Sequence, residues 1–326
     1  MRIGVIGGGA WGTALAQVAA AGGEEVLLWA REPEVVESVN SGRENRLFLP
    51  GIALDASIRA VGDLAALGDA EALLVVTPAQ HLGDIVAQLG SRDRPLVLCA
   101  KGIEERSGRF MHEVAQAALP GARIAVLSGP TFAHEVAAGL PTAVTLAVAD
   151  EALGRQLMER LARPFFRVYL SDDVAGAEVG GAVKNVLAIA CGVVEGMGLG
   201  QNARAALISR GFAEMTRFGI AKGARAETMS GLSGLGDLVL TCSSTNSRNF
   251  SLGKGIGEGH AAADLLADRR TVAEGAFTAP VLKRVADAAG VDMPIVAAVC
   301  DLLSGNASVD QVIGRLLARP LRSEGP

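Results

Sequence analysis

The chain of 326 residues carries a formal net charge of −5, and half of its side chains are hydrophobic. That length fits about two domains of ~150 residues each, with apolar material ample for two cores. An acidic balance without a basic run leaves no electrostatic footprint for a nucleic acid or an anionic membrane surface, so any cations that meet an anionic ligand must be local.

Short aliphatic runs alternate with longer amphipathic stretches through the first half, the pattern of parallel strands joined by crossover helices. Strands are predicted at 2–6, 25–29, 72–76, 96–99 and 123–127, and two further runs, 143–148 and 166–170, extend the sheet. Continuous apolar strands of this kind are buried on both faces, as in a doubly wound sheet. From Asp172 onward the strand signal stops, and helices are predicted at 175–191, 202–222, 235–241, 279–289, 296–303 and 309–317. The fold class is therefore α/β: an N-terminal Rossmann-type doubly wound parallel sheet followed by an all-helical C-terminal domain. The boundary falls between 172 and 180, giving a sheet domain over 1–175 and a helical domain over 176–326.

Cys99, Cys191, Cys242 and Cys300 lie far apart with no metal-binding or paired spacing, which argues against zinc and a disulfide scaffold and suits a reducing cytoplasm. No metal is expected. The N-terminus shows no charged leader ahead of an apolar stretch, and no window reaches ~18 uninterrupted apolar residues. Neither a secretion signal nor stable membrane insertion is expected.

In the stretch IGVIGGGAWGTALA, Gly7, Gly9 and Gly12 follow the first strand directly and open a helix. The first glycine permits a tight turn, the second lets a pyrophosphate approach the backbone, and the third allows close packing of helix on strand. A bare match would mean little in a chain with 41 glycines; the strand-to-helix context separates it from an ordinary turn. Some twenty residues on, at the end of the second strand, an acid would hydrogen-bond the ribose hydroxyls of NAD, whereas an arginine would pair with the 2′-phosphate of NADP. The sequence there is WARE. Arg31 favours acceptance of NADPH, a solvated surface arginine being the plain alternative, and Glu32 leaves NADH open.

Ligands bind outside the carboxyl ends of strands in such sheets. Lys101 stands just beyond one, where it could meet an anion or a carbonyl, or be a plain loop lysine. Ser128, Gly129, Pro130 and Thr131 form a turn of donors suited either to a ligand or to capping the next helix. His81 has no partner in sequence and reads as structural.

The helical half carries one lysine, Lys184, in the apolar run GGAVKNVLAIACGVV. Burying it unpaired costs several kcal/mol or forces it to give up its proton. Gly180, Gly181, Ala188 and Cys191 flank it at helical spacing and leave a channel for it to enter the cleft between domains; a snorkelling lysine is the plain alternative. Asp237 stands at a helix start, and Ser247, Arg248 and Asn249 form a cluster in a polar loop, suited equally to a phosphate or to capping the loop itself. Glu274 lies in a glycine-containing loop.

Taken in order, GGGAWGTALA, CAKGIE, SGPTFAHEVA, GGAVKNVLAIACG, GLSGLGDLVLTC, NSRNFSLGKGI and TVAEGAFTAPVL resemble the bacterial-type NAD(P)-dependent glycerol-3-phosphate dehydrogenases over essentially the whole chain. The resemblance implies interconversion of sn-glycerol 3-phosphate and dihydroxyacetone phosphate, run as ketone reduction for phospholipid synthesis by a cytoplasmic homodimer. It implies Lys184 as the proton donor or acceptor, with Asp237 and Lys101 polarising and orienting the substrate. Gly129, Thr131, Ser247, Arg248 and Asn249 join these three as substrate contacts. Toward NAD(P)(H) it implies Trp11, Arg31, Lys101, Ala133, Arg248, Val272 and Glu274, beside the turn at Gly7, Gly9, Ala10 and Gly12. Ala10 stands where the family often has serine, which removes one possible phosphate hydrogen bond, and Thr131 stands where serine is common. Two rivals remain on the residues alone: a reductase of a β-hydroxyacid or branched keto acid with the same architecture, and a non-catalytic nicotinamide-binding regulator.

Overall fold

The aliphatic runs of the first half assemble into one sheet, seen in a computed structural model that describes residues 2–90, 93–267 and 273–320. Its strands are β1 (Ile3–Ile6), β2 (Val26–Trp29), β3 (Ile58–Val61), β4 (Ala72–Val75), β5 (Leu96–Leu98), β6 (Ile124–Ser128), β7 (Thr142–Ala147) and β8 (Phe166–Ser171), ordered β3-β2-β1-β4-β5-β6-β7-β8. All pairings are parallel except β6 with β7, which runs antiparallel. Val5, Leu74 and Val97 are fully buried, as expected of central strands covered on both faces. Strand β3 escapes the sequence reading because it is an edge strand of four residues with an exposed Arg59 inside it.

Helices α1 (Ala10–Ala20), α2 (Pro33–Gly42), α3 (Leu82–Ala87), α4 (Met111–Ala118), α5 (Ala133–Ala137) and α6 (Glu151–Leu161) cover this sheet. Strand order reverses between β1 and β4, so the crevice at which such sheets bind ligands lies over their carboxyl ends.

Beyond Ser171 the described chain is helical: α7 (Val174–Gly196), α8 (Gly200–Ala221), α9 (Ala226–Met229), a π-helical turn at Leu232–Gly236, α10 (Asp237–Cys242), α11 (Arg248–Gly257), α12 (Ala262–Leu266), α13 (Glu274–Ala288), α14 (Pro294–Leu303) and α15 (Val309–Leu317). By length and composition α7 could cross a bilayer, yet its most apolar window is 94% buried inside the protein. Its opening residues Val174 and Ala177 pack on the sheet, and residues from Val179 to Val193 build the helical core. Asp173 caps it by accepting from the Gly176 N–H at 2.8 Å. His112 on α4 meets Glu178 on α7 at 2.5 Å, a second tie between the two halves.

Helix α11 is absent from the predicted helices, and its opening residues Arg248 and Asn249 read there as a polar loop; its packing explains why. Gly253, Gly255 and Gly257 weaken any helical signal, each costing about 1 kcal/mol against alanine. Four glycines remove the side chains where α7 and α11 meet: a Cβ on Gly192 would lie 2.0 Å from the Phe250 carbonyl oxygen and one on Gly196 2.2 Å from that of Lys254, while one on Gly253 would lie 1.9 Å from that of Ile189 and one on Gly257 2.4 Å from that of Val193. Gly253→Ala should therefore force the helices apart and lower stability by about 2–3 kcal/mol. Denaturant unfolding checks this; a midpoint equal to the parent's would contradict it.

Candidate active site

The turn between β1 and α1 is built by backbone contact. Gly7 has φ +128° with its α-carbon against the end of β4, where a Cβ would sit 2.7 Å from the Val76 carbonyl oxygen, and a Cβ on Gly12 would sit 1.8 Å from that of Gly7. Buried Asn45 locks the turn by donating to the Gly8 carbonyl and the Thr13 hydroxyl, both at 2.8 Å. Gly9, by contrast, faces open space, and Ala10 starts α1 without a side-chain cap. The helix N-terminus thus offers free N–H groups and a positive dipole end to an anion. Beside it the Trp11 Nε1 and the Thr77 hydroxyl are buried with no partner among the described residues. Free donors around an open glycine fit a dinucleotide pyrophosphate.

At the carboxyl ends of β5 and β6, a second cluster joins the two halves. Asp237, fully buried at the first position of α10, accepts from Lys184 Nζ at 2.6 Å through Oδ1 and from Lys101 Nζ at 2.7 Å through Oδ2. Lys184 also donates to the Thr241 hydroxyl at 3.0 Å, which in turn donates to the Asp237 carbonyl at 2.6 Å. Lys101 donates its other bond to the Gly129 carbonyl at 3.2 Å. Burial pushes the Lys184 ammonium down to about 8, with Lys101 adding to the shift and Asp237 opposing it.

An ammonium has three N–H donors, and Asp237 and Thr241 occupy two of those on Lys184. The third direction is a donor in the charged form and a lone pair in the neutral form, so one nitrogen can deliver or take a proton there with its other contacts unchanged. Gly180 and Gly181 serve a different purpose from the expected channel. A Cβ on Gly180 would collide with the Ser233 carbonyl at 2.0 Å, and Gly181 clears the Lys101 stem, which would lie 3.2 Å away. Gly180 admits the Ser233 backbone and Gly181 the Lys101 stem, rather than Lys184 itself.

Ser247 is the N-cap of α11, its hydroxyl accepting from the Phe250 N–H at 3.3 Å. Arg248 is therefore the exposed first residue of a helix, not part of a loop. Its guanidinium and the free N–H groups of the first turn form a seat for an anion. Buried Asn249 has a structural duty as well: its Nδ2 donates to Asn185 Oδ1 at 3.1 Å, and its Oδ1 accepts from the Gly275 N–H at 2.9 Å. One amide hydrogen remains for a ligand. Glu274 is the first residue of α13 rather than a loop residue; Pro280 inside that helix hid its start, since proline breaks the interior hydrogen-bond ladder. Burial raises the Glu274 carboxyl, while Arg248, Lys101 and Lys184 pull the other way, so it belongs to the same charged cluster.

The structure thus gathers Lys101, Gly129, Lys184 and Asp237 in direct contact, with Glu274 and Arg248 coupled through charge. Gly7, Gly9, Ala10, Trp11 and Gly12 sit together at the turn, and Ala133 opens α5. Thr131 donates weakly to the Gly129 carbonyl at 3.4 Å and caps no helix. Arg31 is exposed and ion-paired with Glu32. Val272 lies outside the described residues. Sequence reading missed Thr241 and Asn185. The four-residue step from Asp237 to Thr241 on one helix face could have flagged the former; nothing local marks the latter.

A Rossmann-type sheet with a phosphate-ready turn, opposed by a lysine and an aspartate from a helical half, defines a nicotinamide-dependent oxidoreductase. Family models named NAD-dependent glycerol-3-phosphate dehydrogenase match residues 2–154 (N-terminus) and 173–314 (C-terminus), and the chain belongs to that family. It is similar to the glycerol-3-phosphate dehydrogenase [NAD(P)+] of Erythrobacter litoralis, 64% identical over 323 residues covering 99% of this chain and 98% of that one. The corresponding protein of Novosphingobium aromaticivorans is 63% identical over 326 residues, covering 100% and 98%. Among solved structures, a glycerol-3-phosphate dehydrogenase from Coxiella burnetii superposes with a TM-score of 0.93 at 38% identity, covering 98% of this chain and 99% of that one.

Proposed function

We propose that the chain interconverts sn-glycerol 3-phosphate and dihydroxyacetone phosphate with NAD(P)(H), with Lys184 as proton donor and acceptor. The observation that carries this is Lys184 Nζ held by Asp237 and Thr241, which takes up two of its three N–H positions. The bound nicotinamide supplies or takes the hydride. In ketone reduction, charged Lys184 stabilises negative charge developing on the C2 oxygen and delivers the proton. Asp237 holds both lysines in place, and Lys101 adds positive charge beside the carbonyl. Three cations, Lys101, Lys184 and Arg248, against the carboxyls of Asp237 and Glu274 suit a substrate that brings a phosphate.

Assigned in the same way are a sheet domain over 1–175 with a helical domain over 176–326, a cytoplasmic homodimer, and a role supplying the backbone of membrane phospholipids. The test follows NADPH and, separately, NADH absorbance on adding dihydroxyacetone phosphate, with dihydroxyacetone and pyruvate as controls. Oxidation that requires the phosphorylated ketone supports the reading; preference for pyruvate would move the assignment to the keto acid reductases.

Arg248→Ala should raise KM for dihydroxyacetone phosphate by about 100-fold, since a charge-assisted phosphate contact is worth ~2–3 kcal/mol. The slow rate with unphosphorylated dihydroxyacetone should change far less. Equal losses with both ketones would remove Arg248 from the phosphate seat.

A further inference from the structure

We infer that Gln80 is a positioning residue for the reaction: its amide clamps the loop that carries Lys101 and so holds the Lys101 ammonium beside Lys184 and Asp237. This rests on the roles proposed above for the two lysines. Gln80 belongs to the short 3₁₀ turn Ala79–His81 that follows β4. Its Nε2 donates to the Ile103 carbonyl at 3.0 Å, and its Oε1 accepts from the Glu105 N–H at 2.8 Å. An amide that meets a carbonyl and an N–H two residues apart does what a neighbouring strand would do.

Lys101 lies inside a bracket. On one side the Cys99 N–H donates to the Val75 carbonyl at 2.9 Å; on the other Gln80 holds residues 103 and 105. Both anchors come from β4 and the turn after it. Gly102, between them, approaches that turn so closely that a Cβ would lie 3.0 Å from the Ala79 Cβ. The helical half grips the same loop: the Ile103 side chain is fully buried in the helical core, and Arg284 on α13 donates to the Glu105 carbonyl at 2.6 Å. Gln80 is thus the polar tie of this loop to the sheet domain.

The tie matters because two ammonium groups share one carboxylate. Around Lys184 stand Asp237 and the Cys242 thiol on α10, Lys101, and Glu274 at the start of α13, itself coupled to Arg248 on α11. Lys101 opposes protonation of Lys184. Like charges repel, so a Lys101 set loose retreats and leaves Lys184 more of the carboxylate. Lys184 then holds its proton to higher pH.

Carbon-13 labelling of lysine side chains reads this without substrate, since the chain's lysines are Lys101, Lys184, Lys222, Lys254 and Lys283. Lys184→Met assigns the Lys184 resonance, and Lys101→Met sets the full rise in its titration midpoint. Gln80→Met keeps the length and removes both bonds; it should reproduce about a third or more of that rise. Its kcat for ketone reduction should fall about tenfold or more. If Gln80→Met does not fold, Gln80→Asn, which keeps the amide and shortens its reach, is held to the same limits. A smaller rise, an unchanged kcat, or a midpoint that Lys101→Met leaves in place overturns this inference and leaves the dehydrogenase reading intact. A parent protein inactive on dihydroxyacetone phosphate overturns that reading, and this inference with it.

Discussion

Lys184→Ala is expected to lower kcat by about 10³–10⁴-fold, the upper range for removal of a positioned proton-transfer group, while NADPH still binds within a few-fold of the parent affinity. The two results belong together. Lys184 lies among helices α7 and α10 and donates to Asp237 and Thr241, whereas the glycine turn stands at β1 and α1. Steady-state rates and a fluorescence titration of the cofactor provide the check. Substantial turnover would remove Lys184 from the role.

The pH dependence follows from the same nitrogen. In the role proposed for Lys184, oxidation of glycerol 3-phosphate uses the neutral amine, so its rate should climb through pH 8, where burial has brought the ammonium, and level off above. Ketone reduction needs the charged form and should decline over the same interval. A lysine in the unfolded chain titrates near 10.4, and each unit of displacement is worth about 1.4 kcal/mol. Folding favours the neutral amine, so this group's contribution is at its best above ~10.4 and is lost as pH falls through about 8, costing roughly 3 kcal/mol at neutral pH. An oxidation profile flat from pH 6 to 10 at saturating substrate would rule out a titrating lysine.

Asp237→Asn is expected to reduce kcat by roughly 10²–10³-fold and to move the oxidation inflection below pH 8. Asparagine keeps the size but supplies only one acceptor oxygen, so it cannot serve both Lys101 and Lys184. The carboxylate is what holds the Lys184 ammonium up against burial and the Lys101 charge; without it the amine titrates lower. Breaking a buried ion pair from one side typically costs 3–5 kcal/mol, and here the loss should shrink as pH rises and Lys184 neutralises. Thermal unfolding at pH 7 and pH 9.5, beside a pH-rate profile, reads both effects. An unmoved inflection would show that Asp237 does not set the lysine's protonation.

Much of the architecture was legible because it is written locally. The glycine turn, the aliphatic strands and the switch to helices after Ser171 are encoded by neighbouring residues with short periods. Lys184 was conspicuous as a single charge in an apolar run. What escaped was non-local: Thr241 acquires its role from a lysine 57 positions away, and Asn185 from an asparagine 64 positions away. Helix α11 escaped because its glycines serve a partner helix rather than its own propensity, and the start of α13 because Pro280 is tolerated inside it.

The contact between α7 and α11 also works as a gauge. Lys184 rides on one helix and Arg248 opens the other, and where they touch at Gly192 and Gly253 backbone meets backbone, with no rotamer available to widen the gap. On the roles proposed above for Lys184 and Arg248, the spacing of the two backbone positions that carry them is then a property of two main chains. A phosphoketone longer by one methylene between carbonyl and phosphate would have to be met by the side chains alone, since the helices that carry them could not move apart without opening the α7–α11 contact.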